Sequence, residues 1–278
     1  MNLKEAPSAR LLDPQGVPLC SLVEINRLAP VIKEELYRRL VPRRIFTDYA
    51  IDPGSLRCPD GQRAVTFICP EGLGLVRIEV RPRRRKRDCL FFVEVADTPY
   101  GQIELSLCLI NDLDAPRYNV DVDELGRDNC FGTLRRNRGE ELRAMSAGLA
   151  PNQVRRGLQM FSQFFEQFEK FVAALGISVI IAEPLSYDNA VRYEGYGFDY
   201  LSGKKLMLWI NEEFQPGGLL FQRLNGESPF RRPGMEKTVR GRSWAIHDGI
   251  LGRPWDGVKI YKTVGQHAGV NTFSQRLG

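Results

Sequence analysis

One block, Pro151 to Phe198, limits the fold more than any other part of this chain. Its apolar residues Val154, Leu158, Phe161, Phe165, Phe168, Val172 and Leu175 succeed one another at alternating spacings of four and three. That period predicts a long amphipathic helix whose stripe must be buried against a sheet or a second helix. Gly176 supplies the stop. Ile177-Ser178-Val179-Ile180-Ile181-Ala182 then reads as a buried central strand of the kind used in parallel pairing. With Leu142 to Leu149 as a preceding strand, the order strand, helix, strand predicts a βαβ unit. Tyr187 to Tyr193 is compatible with a short helix, and Asp199 to Ile210 with another strand.

The predicted helix opens Asn152-Gln153-Val154-Arg155-Arg156-Gly157-Leu158-Gln159. Backbone N–H groups and the positive end of the macrodipole make such a terminus attractive to anions. Arginines oppose the dipole, so a terminus serving stability alone would carry Asp or Glu. Arg155 and Arg156 in its first turns therefore predict a negatively charged ligand such as a phosphate.

The rest of the chain has a coarser order. Ser21 to Leu40 has helical spacing interrupted by Pro30, which fits two helices or one broken helix. From Ala64 the period becomes that of strands: Ala64–Cys69, Leu75–Val80, Cys89–Val95 and Ile103–Ile110. Short connections between these runs predict an antiparallel meander. Asn111 to Gly139 is polar and poorly patterned, a long surface excursion. Beyond Asn211 repeated Pro and Gly break the pattern, and Trp244, Trp255 and Tyr261 are candidates to pin this tail to the body or to form a small extra module.

Composition removes several function classes. No apolar run approaches the ~20 residues of a membrane span, and Met1 to Pro7 lacks the apolar core of a secretory signal. The expectation is a cytoplasmic protein with no membrane partner. Six cysteines occur without a C-x-x-C pair, and there are only two histidines, His247 and His267, so no metal site is expected. The net charge of +5 comes from Arg81-Pro82-Arg83-Arg84-Arg85-Lys86-Arg87, without whose six cations the chain stands at −1. A single basic loop between two strands of the meander reads as a solvated hairpin tip that discourages edge pairing, or as a patch steering an acidic partner, rather than as broad nucleic-acid binding.

The meander, the phosphate-suited terminus, the buried strand and Tyr193-Glu194-Gly195-Tyr196-Gly197-Phe198 together resemble the GNAT acyltransferase family, over about Gln102 to Ile210. The resemblance implies an α/β (α+β) GNAT-like fold. Its mixed central sheet would have an antiparallel N-terminal meander and a βαβ core, with a C-terminal extension after them. The implied division is an N-terminal helical segment 1–60, an acyltransferase domain 61–210 and an extension 211–278. The family's phosphate loop, Q/R-x-x-G-x-G/A, falls on Val154, Gly157 and Gln159, so only the middle glycine is kept. The family's N-x-x-A-x-x-x-Y-x-x-x-G-F motif matches at Tyr193, Gly197 and Phe198, with Ser186 in place of Asn and Asn189 in place of Ala.

The resemblance implies an acyl-CoA-dependent N-acyltransferase using acetyl-CoA or another acyl-CoA. The acceptor would be a small-molecule or peptide amine attacking the thioester directly. Backbone amides of Ala147, Gly148 and Leu149 would pair with pantetheine. Arg155, Arg156, Gly157, Leu158 and Gln159 would hold the pyrophosphate, with Ser186 also at the cofactor. Tyr193 matches the acid that protonates the leaving thiolate; a phenol with pKa near ~10 remains protonated at neutral pH and can hydrogen-bond sulfur. The base would be a carboxylate or an ordered water, with Glu183, Glu104 and Glu141 as the candidate carboxylates. Two alternatives stay open: a non-catalytic binding protein of the same fold, or a transferase drawing on an acyl-carrier-protein or aminoacyl-tRNA donor.

Overall fold

The computed structural model describes residues 9–82, 87–129 and 135–274. In chain order the helices α1 (Leu22–Asn26), α2 (Pro30–Arg38) and α3 (Arg43–Asp48) precede four strands. These are β1 (Val65–Ile68), β2 (Leu75–Val80), β3 (Phe91–Asp97) and β4 (Ile103–Ile110). Then come α4 (Arg138–Ser146), α5 (Phe161–Ala174), β5 (Val179–Ala182), α6 (Tyr187–Glu194) and β6 (Asp199–Ser202). The chain continues through α7 (Lys204–Glu213), α8 (Leu219–Gln222), a 3-10 turn at Met235–Lys237, α9 (Val239–His247) and β7 (Lys259–Thr263). It is a mixed α/β protein whose seven strands among the described residues are mostly antiparallel, with one parallel pair.

The chain divides into two compact units, each assembled from several stretches. The first comprises Met1–Leu113, Gly157–Ala182 and Thr263–Gly265. Within it β1 to β4 form the expected antiparallel meander, with Val65 opposite Val80, Val80 opposite Phe91 and Phe91 opposite Ile110. The basic loop is the β2–β3 connection; Arg83, Arg84, Arg85 and Lys86 lie outside the described residues. β5 joins β4 as the parallel pair.

Pro30 divides the N-terminal helical stretch and occupies the first turn of α2, where its missing N–H costs nothing. Asp97 caps α1, accepting from the Leu22 and Val23 N–H groups at 3.0 Å each. α5 buries Phe164, Phe165, Phe168, Phe171 and Val172. The Phe164 and Phe168 rings stack with centroids 5.6 Å apart, and Phe91 of β3 packs on Phe164 at 5.7 Å. Burying each such ring contributes roughly 1.5–3 kcal/mol.

The second unit comprises Asp114–Arg156, Glu183–Lys262 and Gln266–Gly278. β6 and β7 form an antiparallel pair in it. A core cluster of Val120, Ala144, Leu149, Phe230 and Trp244 ties α4 to α9. Trp244 is buried and donates its indole N–H to the Leu149 carbonyl at 2.8 Å, while Trp255 packs edge-on against Tyr187 and donates to Pro184.

Three expectations are corrected. Leu142 to Leu149 is not a strand: Arg138–Ser146 is helical, with Asn137 accepting from the Glu140 N–H at 3.3 Å as its N-cap. Glu140 and Glu141 in the first turn, helix-favouring Ala144 and Ala147, and Gly148 after the last turn make this a helix. The βαβ unit is therefore β4, α5, β5. Asn152 to Gln159 is not helical either, because Asn152 and Gln159 take left-handed φ of 63° and 56°, and α5 begins only at Phe161. The strand expected to reach Ile210 ends at Ser202; Gly203, at φ 87°, turns the chain into α7.

Candidate functional site

In the first unit, the notable geometry is where β4 leaves its parallel partner. β4 and β5 share a register at Ile103↔Ile180 and Glu104↔Ile181, and β5 ends one residue later, at Ala182. β4 continues through Ile110. On its other side a register shift between Glu94 and Val95 leaves Ser106 as the bulged residue. A bulge bends and twists its strand and re-aims the side chains beyond it. The burial alternation of β4 breaks down just there: Ile103 and Leu105 are buried, whereas Ser106 to Ile110 are half-buried or exposed.

Gly157 lies beside this strand's C-terminal end. A Cβ on it would meet the Ile110 carbonyl oxygen at 3.1 Å, so glycine permits this close approach. From Gly157 the chain runs through Leu158 and Gln159 into α5. The N-cap of α5, Met160, makes no side-chain capping bond, and no acidic residue stands in the first turn. Along the helix the Gln163 and Gln167 Oε1 atoms are buried without a hydrogen-bond partner among the described residues. An unsatisfied buried acceptor costs about 1–3 kcal/mol.

The three candidate carboxylates differ sharply. Glu104, half-buried on β4 two residues before the bulge centre, has no hydrogen bond or ion pair on its carboxylate among the described residues. Glu183, in the second unit, is exposed and paired with Lys259 at 2.5 Å. Glu141 is 1% exposed and fully engaged, accepting from Arg136 and from His247 Nε2 at 3.0 Å.

That engagement belongs to a buried ionic cluster in the second unit that the residue pattern did not announce. Arg136 bridges Glu141 at 2.5 Å and Asp248 at 2.7 Å, and Arg231 pairs with Asp248 at 2.9 Å. Burial pushes the Glu141 pKa up, but hydrogen bonds from His247 and Arg136 outweigh it, and the net shift is downward. Asp248 shows the same balance, with Arg136 and Ser228 lowering it. Partners 112 positions apart in the chain, such as Arg136 and Asp248, leave no local signal in sequence.

Most implied cofactor contacts in the second unit are already spent. The N–H groups of Ala147, Gly148 and Leu149 donate to Arg143, Met145 and Ala144 carbonyls, each at 3.0 Å, as the C-terminal cap of α4. They are not available to pair with pantetheine, which corrects that expectation. Arg155 turns its buried guanidinium to the Ala115 carbonyl, whereas Arg156 is exposed. The Ser186 hydroxyl donates to Asp188 at 2.8 Å.

Tyr193 sits on α6, half-buried, with its ring edge-on to Phe198 at 5.0 Å. The adjoining Gly197 is obligatory: at φ 86°, a Cβ would lie 2.9 Å from the His267 Cα. Glu194 is a buried tie, accepting from Tyr200 and from the Thr272 N–H at 2.9 Å. Burial and this carboxylate both push the Tyr200 phenol upward. Part of the Tyr193–Phe198 signature therefore holds the turn and the C-terminal segment together.

Among the described residues, no group of three or more His, Cys, Asp and Glu is arranged to hold a metal ion, and no helix is long and apolar enough to cross a membrane. Searches against family models, curated proteins and solved structures found no match for this chain.

Proposed function

We propose that this protein is a divergent, GNAT-like acyltransferase that binds an acyl-CoA along the freed edge of β4 and passes its acyl group to an amine. The observation carrying this reading is the early end of the β4–β5 pairing, after Glu104↔Ile181, together with the Ser106 bulge and the close seat of Gly157 against Ile110. A strand edge released from its partner offers backbone groups to an extended, amide-bearing chain. Pantetheine has two amides, and its N–H groups are partners of the kind the buried Gln163 and Gln167 oxygens lack. Ligands of sheets with parallel strands commonly sit beyond the strands' carboxyl ends, at the point where neighbouring strands part.

In this reading Glu104 accepts the proton of the attacking amine. The C–N bond forms as the C–S bond breaks, and the departing CoA thiolate takes its proton from solvent. The pyrophosphate would be met by Gly157, Leu158 and Gln159.

Acetyl-CoA at millimolar concentration is expected to raise the melting temperature, because a ligand that binds only the folded state stabilises it by mass action. Free thiol is then expected to appear with a suitable amine. Failure of every CoA thioester to bind removes the proposal. Binding without turnover across an amine panel, unchanged by Glu104→Gln, assigns the chain to a non-catalytic CoA-binding role instead.

A further inference from the structure

The second unit contains a groove that the acyl-transfer reading does not use. It is a shallow groove, open to solvent, of ≈ 690 Å³ between α4, the turn around Met235 and the start of α9. Met145, Pro233, Met235 and Trp244 make it apolar, and Arg232 and Arg240 stand at its rim. Both arginines are exposed, and neither guanidinium has a hydrogen bond or ion pair among the described residues. The nearby polar groups are already committed. The Trp244 indole N–H is bonded to Leu149, Thr238 Oγ1 accepts from the Gly241 N–H at 2.9 Å, and the Glu236 carboxylate accepts from the Gly234 N–H at 2.7 Å. Directed recognition is thus left to two guanidinium groups above an apolar floor.

We propose that this groove binds a medium-chain fatty carboxylate, with the carboxylate between Arg232 and Arg240 and the chain against Met145, Pro233 and Met235. The chemistry matches on each count. Guanidinium groups present planar paired donors suited to a carboxylate. Methionine side chains are unbranched and adaptable, and fill the space around a flexible chain better than branched residues do. The volume lies within the range of about 300–1,000 Å³ typical of small-molecule sites. No residue of the β4 edge takes part, so the inference stands whether or not the chain transfers acyl groups.

The test is calorimetric titration of the full chain with decanoate below its micelle concentration, beside decanol and acetate. Decanoate is expected to bind at least about tenfold more tightly than either, because it alone satisfies both parts of the site. The double substitution Arg232→Ala with Arg240→Ala, at exposed positions, is expected to weaken decanoate at least about tenfold while leaving the melting temperature of the unliganded protein in place. Equal binding of decanol or of acetate overturns the proposal. So does a double variant that binds decanoate as the parent chain does.

Discussion

The ionic cluster of the second unit and the β4 edge of the first invite opposite conclusions from their chemistry and from their satisfaction. Glu141, His247, Arg136 and Asp248 bring together the residue types of an active centre, yet they are mutually paired and hold α4 to α9. The β4 edge is mostly aliphatic, yet there the parallel ladder stops, a bulge bends the strand, and Glu104 lacks a partner among the described residues. Concentrated charge in this protein marks architecture. Unfinished pairing marks the place where something else can bind.

The harshest challenge to this contrast is Glu141→Ala. Removing one partner of a buried ion pair leaves the others uncompensated, so a loss of about 3–5 kcal/mol in urea unfolding is expected. A loss under ~1 kcal/mol, together with lost acyl transfer, would reverse the two assignments. Phe168→Ala, in the α5 stack of the first unit, serves as a packing reference at about 3–5 kcal/mol.

Acid titration probes the cluster from another side. Glu141 and Asp248 have folded pKa values below their ordinary ones, so their contribution is present above the ordinary carboxylate range and lost as pH falls through the lowered folded values. Melting temperature is expected to drop on acidification below about pH 4, and Glu141→Gln to flatten that drop. An identical acid profile for the variant would separate the cluster from acid stability.

The β4 edge is expected to respond in function more than in stability. Gly157→Val places a branched side chain where even a Cβ comes within 3.1 Å of the Ile110 carbonyl. Acetyl-CoA binding is expected to weaken by at least tenfold, about 1.4 kcal/mol, measured by thermal shift against ligand concentration. The smallest stability effect belongs to Tyr193→Phe, within about 0.5 kcal/mol. Urea unfolding checks it: a loss above ~1 kcal/mol would give the phenol hydroxyl a structural role beside the Phe198 ring.

Much of the first unit was readable in advance because its signals are local. The period-two runs from Ala64 to Ile110 became β1 to β4, Pro30 divided the N-terminal helices, and the phenylalanine stripe became α5. The errors arose where local signals compete. Leu142 to Leu149 reads as a strand from its run of apolar and small residues, although the Asn137 cap and the acidic first turn favour a helix. The apolar spacing through Val154 and Leu158 extended a helix across a segment that two left-handed residues keep irregular.

Residue order alone was enough for the meander, the amphipathic helix and the Gly197-Phe198 turn, since each depends on periodicity or on a backbone conformation encoded within a few residues. The folded chain was needed to show that β5 pairs with β4 across the whole intervening segment 111–178. It was needed as well to show that the amides of Ala147 to Leu149 are already used and that Arg136 meets Asp248. Hydrogen bonds and ion pairs between distant positions depend on where the folded chain returns, and no local pattern of residues records that.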